Sequence, residues 1–137
     1  MNLTEFVHPS LFEEDTFQVD ESQAASQIGS GALRVLATPV LISVMEKTSH
    51  RLLARFLPEG YSSVGIQIES LRHMAPTPMG NIVRVRSEII SVDNRTATFK
   101  IEAWDEVEKI SEGTHVRAVI DIERFMKRVA GKQSNNG

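Results

Sequence analysis

The sequence predicts an α+β fold in which one long helix packs against an antiparallel sheet of about five strands. Two changes of period carry that expectation. Residues 38–57 hold the longest helical periodicity in the chain, and from residue 64 onward apolar positions recur every second residue instead. Turn chemistry at Asp93-Asn94 and around Asp105-Glu106 joins the last three strands into antiparallel hairpins.

Taken in order, residues 1–13 mix apolar and acidic side chains around Pro9 and form a lead-in segment. Phe17 and Val19, two apart, mark a short strand. The stretch 23–37, with Gly29 and Gly31 among small polar neighbours, suits a mobile loop or a broken helix. Thr38-Pro39 starts the long helix, because a threonine hydroxyl can cap an N-terminal backbone N–H and proline suits the first helical position. Leu57-Pro58-Glu59-Gly60 ends it. At about 100° per residue, Leu41, Met45, Leu52 and Phe56 share one face, with Val44 at one side and Ile42, Leu53 and Leu57 at the other. Lys47, Arg51 and Arg55 mark the solvated side.

Strands follow at 64–73, where Val64, Ile66 and Ile68 share a face, and at 81–90, with Val83, Val85 and Ile89. Ala97, Phe99, Ile101 and Ala103 give the apolar set of 95–107, and Val116, Ala118, Ile120 and Ile122 that of 109–122. The polar stretch 131–137 is expected to be disordered. The organisation is one domain over 1–125 and a partly disordered extension over 126–137, with no internal repeat.

At 137 residues the chain is long enough to bury a core unaided, and 41% hydrophobic with 24% charged residues is the balance of a folded, soluble protein. A net charge of -3, without basic clusters among exposed aromatics, argues against nucleic acid as a partner. The absence of cysteine excludes disulfides, thiolate catalysis and cysteine-based metal sites. No leader-like N-terminus and no bilayer-length apolar run are present, so a cytoplasmic location without a membrane partner is expected.

Three polar residues stand out. Glu46 falls within the flank of the helix's apolar arc. It is either a boundary residue whose head reaches water or a base, or an acid at the edge of a pocket, where partial desolvation makes it a better proton acceptor near neutral pH. His73 stands where a strand gives way to a loop holding Pro76, Pro78 and Gly80, and is either a structural hydrogen-bond partner or a proton shuttle. Thr38 is a helix cap or a reacting group. Glu46 and His50, one turn apart, suggest a metal pair only weakly, since no third ligand is identifiable. His115 shares the alternating face of Gly113 and Arg117 and reads as a satisfied structural histidine more readily than a pocket residue. No phosphate-cradling glycine loop occurs and no cofactor is expected.

A Thr-Pro helix start, a glutamate eight positions on, a glycine-bearing strand and then His-x-x-Pro-x-Pro-x-Gly resemble the hot-dog thioesterases, in particular the fluoroacetyl-CoA thioesterase-like branch. Residues 37–46, 73–85 and 112–121 carry the likeness, which spans roughly residues 34 to 125. The resemblance implies a hot-dog fold, a homodimer or higher oligomer with sites at the subunit interface, and hydrolysis of an acyl-CoA thioester. It implies Thr38, Glu46 and His73 as the reacting set, with Gly65 and Arg117 at the substrate. The fluoroacetyl-specific enzyme builds a gate from bulky aromatics ahead of its threonine. This chain has none between Phe17 and Phe56, which implies a broader short-chain acyl preference.

In that chemistry Glu46 is the essential base or nucleophile, His73 moves protons or polarises the carbonyl, and Thr38 orients the reactants or attacks. Backbone N–H groups near Gly65 stabilise the oxyanion. Along a straight helix, eight residues correspond to about 12 Å of rise, too far for Thr38 and Glu46 to share a hydrogen bond. Either the helix starts after residue 38, or the two groups act on different parts of the substrate. A binding module of the same fold that holds acyl-CoA without cleaving it is the main alternative. A hydratase would need an Asp and a His close together, a spacing not found here.

Overall fold

The long helix, α2, runs Thr38–Ala54 and lies against the inner face of a five-stranded antiparallel sheet, in a computed structural model that describes residues 1–134. The strands are β1 (Phe12–Gln18), β2 (Tyr61–His73), β3 (Ile82–Val92), β4 (Thr96–Trp104) and β5 (Lys109–Asp121), ordered β1-β3-β4-β5-β2 across the sheet. The β3-β4 and β4-β5 hairpins form where the turn residues placed them. Asp93 Oδ1 accepts the backbone N–H groups of Arg95 and Thr96, and Asp105 Oδ1 those of Val107 and Glu108. Each aspartate thus supplies acceptors that a tight turn leaves its backbone without.

On β3 and β4 the period-2 reading holds: Val83, Val85, Ile89, Ala97, Phe99, Ile101 and Ala103 are fully buried. Leu41, Met45, Leu52 and Leu53 of α2 meet them. Thr48 and Ser49 are buried on that helix face as well, which their polarity does not suggest. Each hydroxyl donates to the carbonyl one turn back, Val44 and Met45, and Ser49 Oγ also lies 2.6 Å from Ser87 Oγ of β3. The hydroxyls are satisfied, so their burial carries no desolvation penalty of an unpaired group.

On the far side of α2, Arg51 and Arg55 pair with Asp15 and Glu13 of β1.

Two strands depart from the expected pattern. On β5 the buried residues are Ile110, Ser111, His115, Arg117 and Val119, so the inner face is the alternate one, and the apolar Val116, Ala118 and Ile120 turn outward. The cause is a polar network, described below, that gives Ser111, His115 and Arg117 hydrogen-bond partners on that face. On β2, a register shift between Gly65 and Gln67 and another between Glu69 and Arg72 break the alternation, and Ile66 and Ile68 are exposed at the sheet edge.

The stretch 23–37 is a broken helix with a pinned base. The single-turn helix α1 (Ala25–Ile28) ends on Gly29 in the left-handed region, and the chain then folds back so that Ala24 bridges Leu36. The expected polar extension is helical over its described part. There α3 (Ile122–Ser134) presents exposed Ile122, Met126 and Val129 along one side, and residues 135–137 lie outside the described residues. No helix among the described residues is long and apolar enough to cross a membrane.

Candidate active site

The site begins with how Thr38 is held. Ala37, not Thr38, occupies the N-cap position of α2, and Thr38 is the first helical residue, with Pro39 after it. The hydroxyl therefore does not cap the helix. Its Oγ1 lies 2.6 Å from Nδ1 of His73, the last residue of β2.

Backbone bonds set that distance. Leu36 N–H donates to Thr77 O, tying the segment before Thr38 to the loop after His73, and Ala37 N–H donates to Gln23 O. Thr77 is itself fully buried, its hydroxyl donating to Asp105 Oδ2. The β4-β5 turn thus braces the loop that carries His73.

A cavity of about 300 Å³ opens beside the pair. Its walls include Ala25, Val35, Leu36, Ala75 and Pro76, all aliphatic, with Thr38 and His73 as its chemistry. Burial pushes the His73 imidazole below the ordinary histidine range, so the ring is neutral at pH 7. Its Nε2 is buried and has no hydrogen-bond partner, in a fold where nearly all such atoms are paired.

Glu46 lies elsewhere on α2, partly buried, against β2 and β5. A Cβ placed on Gly65 would sit 2.9 Å from Glu46 Oε2, 3.0 Å from His115 Cε1 and 3.4 Å from an Arg117 terminal nitrogen, so these three side chains converge on a backbone only glycine leaves open. Arg117 donates from Nε to Ser63 Oγ and from Nη2 to Ser63 O, both at 2.9 Å, and its Nη1 is 3.2 Å from His115 Nε2. Burial lowers the Arg117 pKa against the opposing pull of the Glu46 charge. His50 is held below the usual histidine range by burial and by the Arg117 charge.

The structure thus brings Thr38 together with His73, and Glu46 together with Gly65 and Arg117. It does not unite the two groups: among the described residues Glu46 makes no hydrogen bond to Thr38 or His73. Since α2 includes Thr38 in its first turn, the separation of about 12 Å along the helix stands. His115, read from its place on the face of Gly113 and Arg117 as a satisfied structural histidine, is buried with both ring nitrogens in hydrogen bonds, one of them to Arg117. No group of three His, Asp or Glu side chains placed to share a metal ion occurs among the described residues, and Glu46 and His50 have no third partner.

A single helix wrapped by a sheet in the order β1-β3-β4-β5-β2, with a threonine–histidine pair at the helix start, defines a hot-dog domain of the thioesterase class. A hot-dog-like protein from Thermanaerovibrio acidaminovorans superposes with a TM-score of 0.88 at 21% identity over 96% of this chain and 97% of its own, which speaks for the fold. The chain belongs to the fluoroacetyl-CoA-specific thioesterase family, whose model matches residues 19–123. It is 39% identical over 98 residues to the fluoroacetyl-CoA thioesterase of Streptantibioticus cattleyicolor, covering 72% of this chain and 70% of that protein. A solved structure of the fluoroacetyl-CoA thioesterase FlK aligns with a TM-score of 0.85 at 30% identity, covering 92% of this chain and 97% of that one. A variant of the same enzyme has been crystallised with fluoroacetate and CoA.

Proposed function

We propose that the protein hydrolyses acyl-CoA thioesters to a free acid and CoA, with Thr38, Glu46 and His73 as the reacting groups and Gly65 and Arg117 at the substrate. The observation that carries this reading is the 2.6 Å Thr38–His73 contact beside an aliphatic cavity, with the imidazole's other nitrogen buried and unpartnered. Membership of a thioesterase family supports it.

The Thr38 hydroxyl donates to His73 Nδ1, which leaves the ring proton on Nε2. Glu46 takes a proton from water, the resulting hydroxide adds to the thioester carbonyl carbon, and backbone N–H groups near Gly65 hold the oxyanion. Collapse breaks the C–S bond, His73 Nε2–H hydrogen-bonds the departing sulfur, and the proton held on Glu46 passes to the thiolate, which leaves Glu46 ionised and the ring neutral as they began. The aliphatic walls, without an aromatic side chain in 23–37, favour a broader short-chain acyl group over fluoroacetyl alone. The cytoplasm, where acyl-CoA is made and consumed, is the compartment this chemistry implies.

The working unit in this reading is a homodimer. The β2 edge exposes Ile66 and Ile68, a face suited to a second copy, and the two halves of the site are separated within one chain. A site assembled from Thr38 and His73 of one subunit and Glu46 of the other resolves that separation. Thiol release from an acyl-CoA panel tests the activity; no release from any ester, with binding retained, would leave a binding module. Mixing inactive Thr38→Ala and Glu46→Ala proteins tests the shared site. Hybrid dimers restore one intact site and regain activity, whereas a site complete within one chain regains none.

A further inference from the structure

We infer that His115 is a positioning residue for the proposed hydrolase site: as a neutral ring protonated on Nδ1, it fixes the Arg117 guanidinium over Gly65 and beside Glu46. This rests on the hydrolase reading, but the bond at its centre does not.

His115 is 1% exposed on the inner face of β5, with the Phe99 ring behind it at 6.1 Å between centroids. Its Nδ1 lies 2.9 Å from Gln67 O. A carbonyl can only accept, so the ring proton is on Nδ1. Burial, and then the Arg117 charge, hold the ring below the ordinary histidine range despite the opposing pull of Gln67 O and Glu46, so Nε2 carries a lone pair at pH 7. A guanidinium can only donate, and Nη1 of Arg117 is 3.2 Å from that lone pair. The polarity of the contact is therefore fixed from both ends.

Ser63 grips Arg117 from β2 through its hydroxyl and carbonyl, and His115 supplies the third acceptor. Three of the five guanidinium N–H groups are committed, leaving two for a ligand. The bulge after Gly65 is part of the device: it brings Gln67 O to the His115 ring while Gly65 still pairs with Arg117 across the ladder. Any Cβ at position 65 would crowd the imidazole edge of His115 and the carboxylate tip of Glu46.

The two amide isosteres separate positioning from packing. Asparagine places its amide near Nδ1 and keeps the bond to Gln67 O but offers nothing to Arg117, whereas glutamine places an acceptor near Nε2. With one acyl-CoA ester, His115→Asn is expected to raise KM about tenfold with kcat within about threefold of wild type, and His115→Gln to return KM to within about threefold. Equal KM values in the two variants, or kcat falling with KM in both, would overturn the inference. Long-range proton–nitrogen NMR correlations of the wild-type ring give a reading independent of turnover. A neutral ring with bare Nε2 at pH 7 supports the bond, and a proton on Nε2 refutes it. If the wild-type protein released no thiol, the hydrolase reading would fail while the nitrogen spectrum still decided the His115–Arg117 contact.

Discussion

The start and the middle of α2 meet polarity in opposite ways. At the N-terminal end, Thr38 and His73 pair beside a cavity and leave one buried ring nitrogen without a partner. Two turns on, Glu46 meets a region where Ser63, Gln67, His115 and Arg117 are joined by four directed bonds. An orphaned atom is costly to a fold, so its presence marks where a ligand or second chain is to be received. A network of directed bonds marks where a charge is to be held still. The difference teaches that chemistry and rigidity are assigned to separate stretches of one helix.

The contrast can be broken most severely at the reacting groups. His73→Ala and Glu46→Ala are each expected to lower kcat by about 10²–10⁴-fold while melting near wild type, since neither contributes to the apolar core. Retention of the wild-type rate in stopped thiol-release assays would remove both from the site. Gly65→Ala is a smaller perturbation confined to that network. The added methyl displaces the Glu46 tip, which can move, and presses on His115, which cannot, so kcat falls about tenfold and stability by about 1–3 kcal/mol. Chemical denaturation with steady-state kinetics on the same sample would measure both.

The smallest effect is on stability against pH. His50, His73 and His115 are all held below the ordinary histidine range, chiefly by burial. The unfolded chain therefore takes up protons near pH 6.5 that the folded one refuses, so the stability is fully present above about pH 6.5 and is lost as pH falls towards the folded values. Asp93 and Asp105, held below the ordinary carboxylate range by the hydrogen bonds they accept, add to the loss only near and below about pH 4. Calorimetric melts between about pH 7.5 and 5.5 should show Tm declining. The decline should flatten in both His73→Gln and His115→Gln, each of which removes one buried imidazole that resists protonation.

Much of this was legible in residue patterns. The long helix, the two hairpins and the buried faces of β3 and β4 follow from local period and turn chemistry, because there hydropathy alone decides which side faces in. The β5 face was misassigned, with Val116, Ala118 and Ile120 outward, because burial of His115 and Arg117 depends on acceptors 48 and 54 residues away. Thr48 and Ser49 escaped notice because carbonyls one turn back satisfy their hydroxyls, which hydropathy does not register. Thr38 carried a local role, capping, that lost to a bond with a residue 35 positions on. The tail was read from its polarity, which obscured the repeat of Ile122, Met126 and Val129 along α3. Nothing in the spacing alone paired Thr38 with His73; the family likeness put them in one set, and the fold brought those two, without Glu46, into contact.

The folded-back segment before α2 is fastened at its root, through Ala24, Leu36 and Ala37, while Ile28 and Leu33 at its tip stand in solvent. Such an arrangement uncouples the tip from the anchored pair of side chains. Lengthening, shortening or recolouring the tip can change the rim of the cavity at Ser30 while the hydroxyl and imidazole stay in register.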